Sequence, residues 1–333
     1  MTDTDIYRQL AQTLGLGESP LVPKMYKELV DEDEARVLLA AAPPATLEEL
    51  AEKTGISKNE VENMIGSLFK KGLIFKSKKE DAARYYRVRQ FLQFHDATAV
   101  ALDVPQKLLD LLKEFMNTEW IEFQGGLKKV LPKPVMRVVP VNVTIDPQTR
   151  ILAFDDVKQL IEDARNVAVT RCSCRVIDGS CGKPIDVCMQ IDKAADYCIE
   201  RETGRKLTRE EAIEMLKMCE EEGLVHVSSN KRSLGHVICN CCDDCCMSWG
   251  AVKEGVEQFI APSRFMAVVD SGQCTSCETC LERCFFDAIS LEGENGSALV
   301  DSAKCMGCGL CLVTCPSEAI VLKETRSEDF VPA

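Results

Sequence analysis

The sequence predicts a multidomain α+β protein, and three patterns along the chain predict it. The N-terminal part carries helix start and stop signals followed by a hairpin pattern. The middle part mixes helical and extended stretches with loops, and the C-terminal part repeats one cysteine pattern twice. With 333 residues, 46% of them hydrophobic and 28% charged, the chain is long enough for two or three domains, each with its own core.

These patterns divide the chain into four segments. We expect an N-terminal helical domain with an extension at 1–95, a connector at 96–168, a cysteine-rich α+β domain at 169–262, and the repeat domain at 263–333. The first of the nineteen cysteines is Cys172, so the cysteine chemistry belongs to the last two segments.

The N-terminal domain is predicted by its helix boundaries. A first helix follows Asp31, and two more begin at Thr46 and Ser57, each with a glutamate three residues later, which is the capping-box pattern. Gly55 and Gly72 end the second and third helices. Two apolar and aromatic runs around a charged turn then predict a hairpin. Three helices and a hairpin in this order resemble a winged helix-turn-helix domain over about residues 31–88.

A winged helix can bind DNA, but fold alone does not fix function. From Ser57 to Arg89 nine basic residues outnumber four acidic ones, yet Glu62 would face the polyanion, and no arginine stands on the third helix to bind guanine edges. We expect a docking or dimerisation module, with DNA binding as the alternative. The residues that would then contact DNA are Lys58, Asn59, Asn63, Lys78, Lys79 and Arg84.

The C-terminal segment repeats the pattern C-x2-C-x2-C-x3-C with an offset of 31 residues. Asp270 and Asp301 correspond under the same offset, so each copy is predicted as a strand, a cysteine loop with a helical turn, and a return strand. Thiolates are soft donors that favour iron-sulfur clusters, and this spacing predicts two 4Fe-4S clusters. Zinc knuckles or disulfides would not need the doubled spacing. The eight cysteines are Cys274, Cys277, Cys280, Cys284, Cys305, Cys308, Cys311 and Cys315.

This repeat resembles the bacterial two-cluster ferredoxins. In that family the fourth cysteine of each motif ligates the other cluster. The resemblance implies one cluster held by Cys274, Cys277, Cys280 and Cys315, and a second held by Cys305, Cys308, Cys311 and Cys284. Pro316 follows the last cysteine as the family pattern expects, whereas Phe285 stands where the first motif would have proline.

The middle segment contains eleven more cysteines in two dense stretches and two isolated positions. Cys198 and Cys219 lie among apolar residues on predicted helices, so we interpret them as structural. The first stretch contains Cys172, Cys174, Cys181 and Cys188, and the second contains Cys239, Cys241, Cys242, Cys245 and Cys246. Each stretch is predicted to supply most of one further 4Fe-4S cluster, with one thiol of the second stretch to spare. A structural zinc site is the alternative, and an open iron site for catalysis is a third interpretation.

The three parts together resemble iron-sulfur proteins of anaerobic bacteria and archaea that pair a cysteine-dense domain with a two-cluster ferredoxin. The resemblance implies electron transfer in anaerobic redox metabolism, with other redox proteins as partners. No glycine-rich dinucleotide fingerprint follows a strand. We therefore expect an electron carrier or an electron-transfer subunit rather than a stand-alone enzyme. The alternative is a redox-responsive regulator in which the clusters control DNA binding by the winged helix.

The net charge and the cysteine content bear on the binding partners and on the cellular compartment of the protein. The net charge of −13 disfavours nonspecific adhesion of the whole chain to nucleic acid or to anionic membranes. No run of eighteen apolar residues is present, and the first residues lack a secretory pattern, so we expect no membrane insertion and a cytoplasmic location. Nineteen cysteines in a reducing compartment favour metal ligation over disulfides.

Overall fold

The computed structural model describes residues 5–79, 82–127, 133–141, 155–233, 235–253, 259–293 and 296–333. The chain forms two compact units. Unit 1 contains Met1–Glu122, Arg171–Gly179 and Glu200–Thr203, and unit 2 contains Phe123–Thr170, Ser180–Ile199 and Gly204–Ala333. Helices and sheets are mixed throughout, which confirms the predicted α+β class. The four-segment division stays a prediction.

The described helices are α1 (Ile6–Thr13), α2 (Val22–Leu29), α3 (Glu32–Ala40), α4 (Leu47–Thr54), α5 (Lys58–Lys71), α6 (Phe91–Ala99), α7 (Gln106–Thr118), α8 (Trp120–Leu127), α9 (Val157–Asp163), α10 (Ser173–Asp178), α11 (Lys193–Glu200), α12 (Arg209–Glu221), α13 (Met247–Lys253), α14 (Thr279–Arg283) and α15 (Leu310–Val313). The described strands are β1 (Ile74–Lys79), β2 (Ala82–Arg87), β3 (Met136–Val138), β4 (Val167–Thr170), β5 (Cys188–Ile191), β6 (Gly204–Leu207), β7 (Val225–Ser229), β8 (Val237–Cys241), β9 (Ile260–Ala261), β10 (Phe265–Val269), β11 (Ile289–Leu291), β12 (Ala298–Val300) and β13 (Ile320–Glu324). A 3₁₀ turn at Glu328–Phe330 follows.

A winged helix-turn-helix domain forms the centre of unit 1, as predicted. Helices α4 and α5 begin at the capping boxes of Thr46 and Ser57 and end at the left-handed residues Gly55 and Gly72. Strand β1 pairs antiparallel with β2, and an isolated bridge from Ala45 to β2 adds the short third strand of such domains. At Gly72 a Cβ atom would lie 2.5 Å from the Ala97 carbonyl oxygen, so this turn requires glycine.

One buried carboxylate joins the first and third helices of the winged helix. Glu34 belongs to the capping box of α3, and its oxygens also accept hydrogen bonds from Lys71 Nζ and Ser67 Oγ on α5, each at 2.8 Å. Because Glu34 is only 7% exposed, these donors replace the water that its carboxylate loses on burial. The contact fixes how α3 and α5 pack.

A seven-stranded sheet organises unit 2, with strand order β6-β4-β5-β8-β7-β3-β9. Its described pairs are antiparallel except β3 with β9. One face carries an apolar core that includes Met189, Ile191 and Ile238 from the strands, Ile161 from α9 and Leu216 from α12. This face of the sheet is therefore closed by helices, and the alternate strand residues lie on the opposite face.

The cysteine repeat at the end of unit 2 is a structural repeat. Strand β10 pairs with β13, and β11 pairs with β12, so each copy supplies one strand to each pair. The corresponding residues Asp270 and Asp301 donate their N–H groups to the Ala319 and Ala288 carbonyls, both at 2.8 Å. The two copies are thus related by an approximate two-fold arrangement, as the 31-residue offset predicts.

A buried ion-pair triad connects the sheet of unit 2 to the repeat. The Asp155 carboxylate accepts hydrogen bonds from Arg264 Nε at 2.7 Å and from Arg137 Nη1 at 3.4 Å. Arg137 lies on β3, and Arg264 directly precedes β10. All three side chains are about 1% exposed. Arg264 also donates to Glu324 of β13 at 2.7 Å. Two buried cations from different parts of the unit thereby share the Asp155 carboxylate, and Glu324 adds a second carboxylate beside Arg264.

None of the described helices is both long enough and apolar enough to cross a bilayer.

Replacing Asp155 by asparagine should destabilise unit 2 by about 3–5 kcal/mol, because the change removes the negative charge that two buried guanidinium groups share. Urea unfolding followed by circular dichroism measures the loss. The matched control is Asp163→Asn on the exposed side of α9, where we expect a change within about 0.5 kcal/mol. Equal effects of the two changes would show that the triad adds nothing.

Candidate metal centres

Two cavities in the repeat are each lined by four cysteines. The first, of about 330 Å³ including the part open to solvent, is bordered by Cys274, Cys277, Cys280 and Cys315. The second, of about 410 Å³ measured in the same way, is bordered by Cys284, Cys305, Cys308 and Cys311. Each cavity thus combines three cysteines of one motif with the fourth cysteine of the other. Four thiolates around one recess are the donor set that a 4Fe-4S cluster requires.

The loops that carry the cysteines share an unusual backbone. Ser276 and Glu278 have positive φ angles of 54° and 63°, and the corresponding residues of the second copy, Gly307 and Gly309, have φ angles of 64° and 83°. Alternation between right- and left-handed residues turns successive N–H groups towards one side, which forms a concavity suited to anions. The Cys277 sulfur accepts such bonds from the N–H and hydroxyl of Thr279. The loops therefore favour thiolate and cluster sulfur.

The two cavities differ in polarity. Around the first, Thr279 Oγ1 donates to Cys277 Sγ at 3.5 Å, and the Ala298 N–H donates to Cys274 Sγ at 3.5 Å. The second is lined by Phe285, Phe286 and other apolar side chains. Its one cation is Arg283, whose Nε is buried and has no hydrogen-bond partner among the described atoms. A buried donor of this kind fits an anionic group in the cavity.

Burial controls the acidity of these thiols in the metal-free chain. It raises the pKa of Cys308 to about 12 and also raises the pKa values of Cys280, Cys284 and Cys311. Cys277 is exposed, and hydrogen bonds from Thr279 lower its pKa. Loading a metal must therefore displace protons from the buried thiols, so assembly is favoured as pH rises.

The repeat matches a known domain. Residues 266–316 match the 4Fe-4S dicluster domain. This chain therefore contains an iron-sulfur domain, whose chemistry is electron transfer and which implies redox partners. Residues 45–88 match the MCM protein C-terminal winged helix-turn-helix domain. Comparison with curated proteins gives no match.

The five clustered thiols of the middle region separate into two groups. Cys239 and Cys241 are two residues apart on β8, and both lie on the face opposite the apolar core, because Ile238, directly before Cys239, belongs to that core. The ladder that pairs Met189 with Ile238 places Cys188 beside Cys239. The Cys241 thiol hydrogen-bonds with Cys239 and Cys246, and these bonds, with burial, raise its pKa. This face therefore gathers Cys188, Cys239, Cys241 and Cys246.

The other two thiols of that stretch join a more distant cysteine. Cys242 and Cys245 lie with Cys181 and Asp244, and the four ligand atoms are all within 4.8 Å of one another. Although partial burial opposes it, hydrogen bonds from the Cys242 thiol and the Cys245 N–H lower the pKa of Asp244. Asp244 is a potential ligand that the cysteine pattern does not indicate, and its position between the two thiol pairs is the available signal in the sequence.

The predicted grouping of the middle thiols stays a prediction. The structure distributes these thiols over both units. Cys172 and Cys174 lie at the start of α10 in unit 1, where Arg175 is buried, whereas Cys181 and Cys188 belong to unit 2. Of the thiols interpreted as structural, Cys198 packs with Ala168 and Ala195. Cys219 is fully buried, in the apolar cluster that includes Cys242 and Cys245. None of the nineteen cysteines, all of them within the described ranges, forms a disulfide.

Two of the six candidate DNA-contacting residues, Lys58 and Arg84, form ion pairs within the winged helix. Lys58 pairs with Glu48, and Arg84 forms a two-point contact with Glu49 at 2.9 and 3.2 Å and also binds the Pro44 carbonyl. Asn59 and Asn63 are exposed on α5. The side chains of Lys78 and Lys79 lie outside the described residues. The basic charge counted from the sequence is therefore partly neutralised by neighbouring carboxylates.

Among the eight thiols of the repeat, alkylation of the metal-free chain by iodoacetamide should modify Cys277 first and Cys308 and Cys311 last. Cys277 is exposed and has a lowered pKa, whereas the other two are shielded and have raised pKa values, and only the thiolate reacts. Mass spectrometry of peptides from a time course at pH 7 and pH 9 checks the order. The buried thiols should gain more from the higher pH, and uniform labelling would contradict this account.

Proposed function

We propose that this protein is an iron-sulfur electron-transfer protein that passes single electrons through several 4Fe-4S clusters. The observation that carries the proposal is the pair of cavities, each bordered by three cysteines of one motif and one of the other. A bound 4Fe-4S cluster supplies reversible one-electron chemistry and needs no acid or base from the protein. The ligand sets are Cys274, Cys277, Cys280 and Cys315 for one cluster, and Cys284, Cys305, Cys308 and Cys311 for the other.

The residues that surround the two cavities differ, which suits each cavity to a different role in electron transfer. Hydroxyl and N–H donors, together with the exposed Cys277, give the first cavity contact with solvent and with a partner protein. Phe285 and Phe286 give the second cavity an apolar lining, and Arg283 places a positive charge beside Cys284. Cys280 and Cys311 pack in one core, so the cavities are neighbours. This arrangement supports a short relay with an outer and an inner end.

Aromatic contacts connect the inner cavity to the cysteine-rich region. Trp249 of α13 packs edge-on against Phe285 and Phe286, at centroid distances of 5.8 and 5.1 Å. These phenylalanines follow Cys284 directly, and Trp249 lies three residues after Cys246. Arg283 adds a second connection, because its guanidinium donates to the Glu220 and Glu221 carbonyls at the end of α12. The proline expected after the first motif is thus replaced by a residue that joins the two regions.

The relay extends into the middle region through a third cluster. The sheet face that gathers Cys188, Cys239, Cys241 and Cys246 offers four thiols, and Cys246 is close in sequence to the aromatic contact. A protein of this kind passes electrons between other redox proteins as a carrier or as a subunit of an anaerobic redox complex. The net charge of −13 suits partners with basic docking surfaces.

Anaerobically purified protein should contain about twelve iron and twelve sulfide per chain, four of each for every cluster. A count of about eight would remove the middle cluster and leave the repeat as the only carrier. Reduction should produce the electron paramagnetic resonance signals of interacting 4Fe-4S clusters. A chain without acid-labile sulfide would overturn the whole proposal.

Paired alanine variants test the exchange of the fourth ligands. Cys277→Ala and Cys315→Ala should each lower iron by about four per chain, and the double variant by no more, because both remove ligands of one cluster. Cys277→Ala combined with Cys284→Ala should instead lower iron by about eight. The opposite pattern would mean that each motif holds its own cluster.

A redox-responsive regulator is the second candidate function, and its support is the winged helix matched at residues 45–88. We expect no retardation of duplex DNA at about 10 µM protein in low salt, because carboxylates already pair with Lys58 and Arg84. The matched variant carries Glu48→Gln and Glu49→Gln, which frees both cations and should increase binding. Salt-dependent binding by the unmodified protein that changes on reduction would favour the regulator instead.

A further inference from the structure

We propose that Cys181, Cys242, Cys245 and Asp244 bind a single zinc ion through three thiolates and one carboxylate. The site lies in unit 2, between the loop that precedes β5 and the turn that follows β8. The inference goes beyond electron transfer and does not depend on it, because zinc has no redox chemistry.

The spacing of the ligand atoms fits one ion. Zinc binds sulfur at about 2.3 Å and carboxylate oxygen at about 2.0–2.2 Å, so a tetrahedral ion holds its sulfur ligands roughly 3.8 Å apart. The three Sγ atoms and one carboxylate oxygen all lie within 4.8 Å of one another. Small side-chain movements therefore bring them to bonding distance from one centre.

The cluster cavities of the same protein provide an internal comparison. Among the described residues, Cys181, Cys242, Asp244 and Cys245 form the group of three or more potential ligands whose ligand atoms all lie within 4.8 Å of one another. Neither cysteine quartet of the repeat meets that distance. A cluster of four irons and four sulfides must fit between its thiolates and needs a wider set. The closer approach of Cys181, Cys242 and Cys245 therefore distinguishes a one-ion site from a cluster site.

Groups next to the ligand residues form hydrogen bonds with them and orient them, as the residues around the ligands do in metal sites. The Lys183 N–H donates to Cys181 Sγ at 3.4 Å, and Ser180 Oγ lies 3.6 Å from Cys245 Sγ. Asp244 Oδ1 accepts from the Cys245 N–H at 2.7 Å. Such contacts fix a ligand's direction and keep its negative charge.

Burial explains why the ion would be structural. Cys242 and Cys245 are 3% and 2% exposed and pack on Val187 and Leu224. Four protein ligands leave no open position for a substrate, which is the pattern of a structural zinc site. The ion would hold the turn after β8 against the loop before β5. It would thereby fix the neighbouring residues Cys241 and Cys246, whose thiols lie in the other group.

Element analysis of the full-length protein tests the site. Purified from cells supplied with zinc and iron, the wild type should contain one zinc per chain. Cys242→Ala and Cys245→Ala should lose the zinc and retain the iron. The matched control is Cys198→Ala, which removes another buried thiol packed in a separate core and should retain both metals. Loss of about four iron from Cys242→Ala, or a wild type without zinc, would overturn the proposal.

Asp244→Asn tests the carboxylate without disturbing the core, because Asp244 is exposed. Competition with a chelator should show at least a roughly tenfold weaker hold on zinc, since a ligating charge is lost. Co²⁺ loaded into the metal-free full-length chain should give the visible absorption of a tetrahedral thiolate site in the wild type and in Cys198→Ala. An unchanged affinity and spectrum in Asp244→Asn would remove the carboxylate from the site. Iron and sulfide counts on the same samples report separately on electron transfer.

Discussion

Asp155 balances two buried arginines, and the arrangement of unit 2 depends on that balance. Arg137 comes from the seven-stranded sheet, and Arg264 comes from the chain that enters the cysteine repeat. A buried guanidinium without an anion is strongly unfavourable, and a carboxylate that reaches both arginines joins the sheet to the repeat. The contacts of Trp249 with Phe285 and Phe286 and of Arg283 with α12 also join the cysteine-rich region to the repeat.

Much of the repeat and of the winged helix could be predicted from the sequence, because local signals determine them. Capping residues such as Thr46 and Ser57 satisfy free N–H groups next to them in the chain, and glycines such as Gly55 and Gly72 permit left-handed turns. The 31-residue offset similarly carries over to hydrogen bonds and φ angles. These features depend on residues a few positions apart, so a pattern in the chain is enough to locate them.

The middle cysteines were harder to predict because their grouping depends on strand register. Five thiols within eight residues suggest one site, but alternation along β8 and the turn after it direct Cys239 and Cys241 away from Cys242 and Cys245. Cys181 and Cys188 likewise separate, and the partner of each comes from a strand or turn some fifty or sixty residues away. The role of Asp155 is equally hard to predict, because no residue near it in the sequence indicates that two distant arginines contact its carboxylate. A high density of cysteines in the sequence locates a metal-binding region. The strand register determines which ligand atoms come close enough to bind the same ion.

The left-handed loop residues distinguish the two copies of the repeat. At Gly307 a Cβ atom would lie 2.1 Å from the Phe265 carbonyl oxygen, and at Gly309 it would lie 2.5 Å from Val141 Cγ2. The first copy has serine and glutamate at these places, and Glu278 is exposed. The same loop is therefore packed against its own chain in one copy and open in the other. The two halves of the repeat therefore present different surfaces, because the loop of the first copy exposes Cys277 and Glu278 to solvent and the loop of the second copy is covered at Gly307 and Gly309.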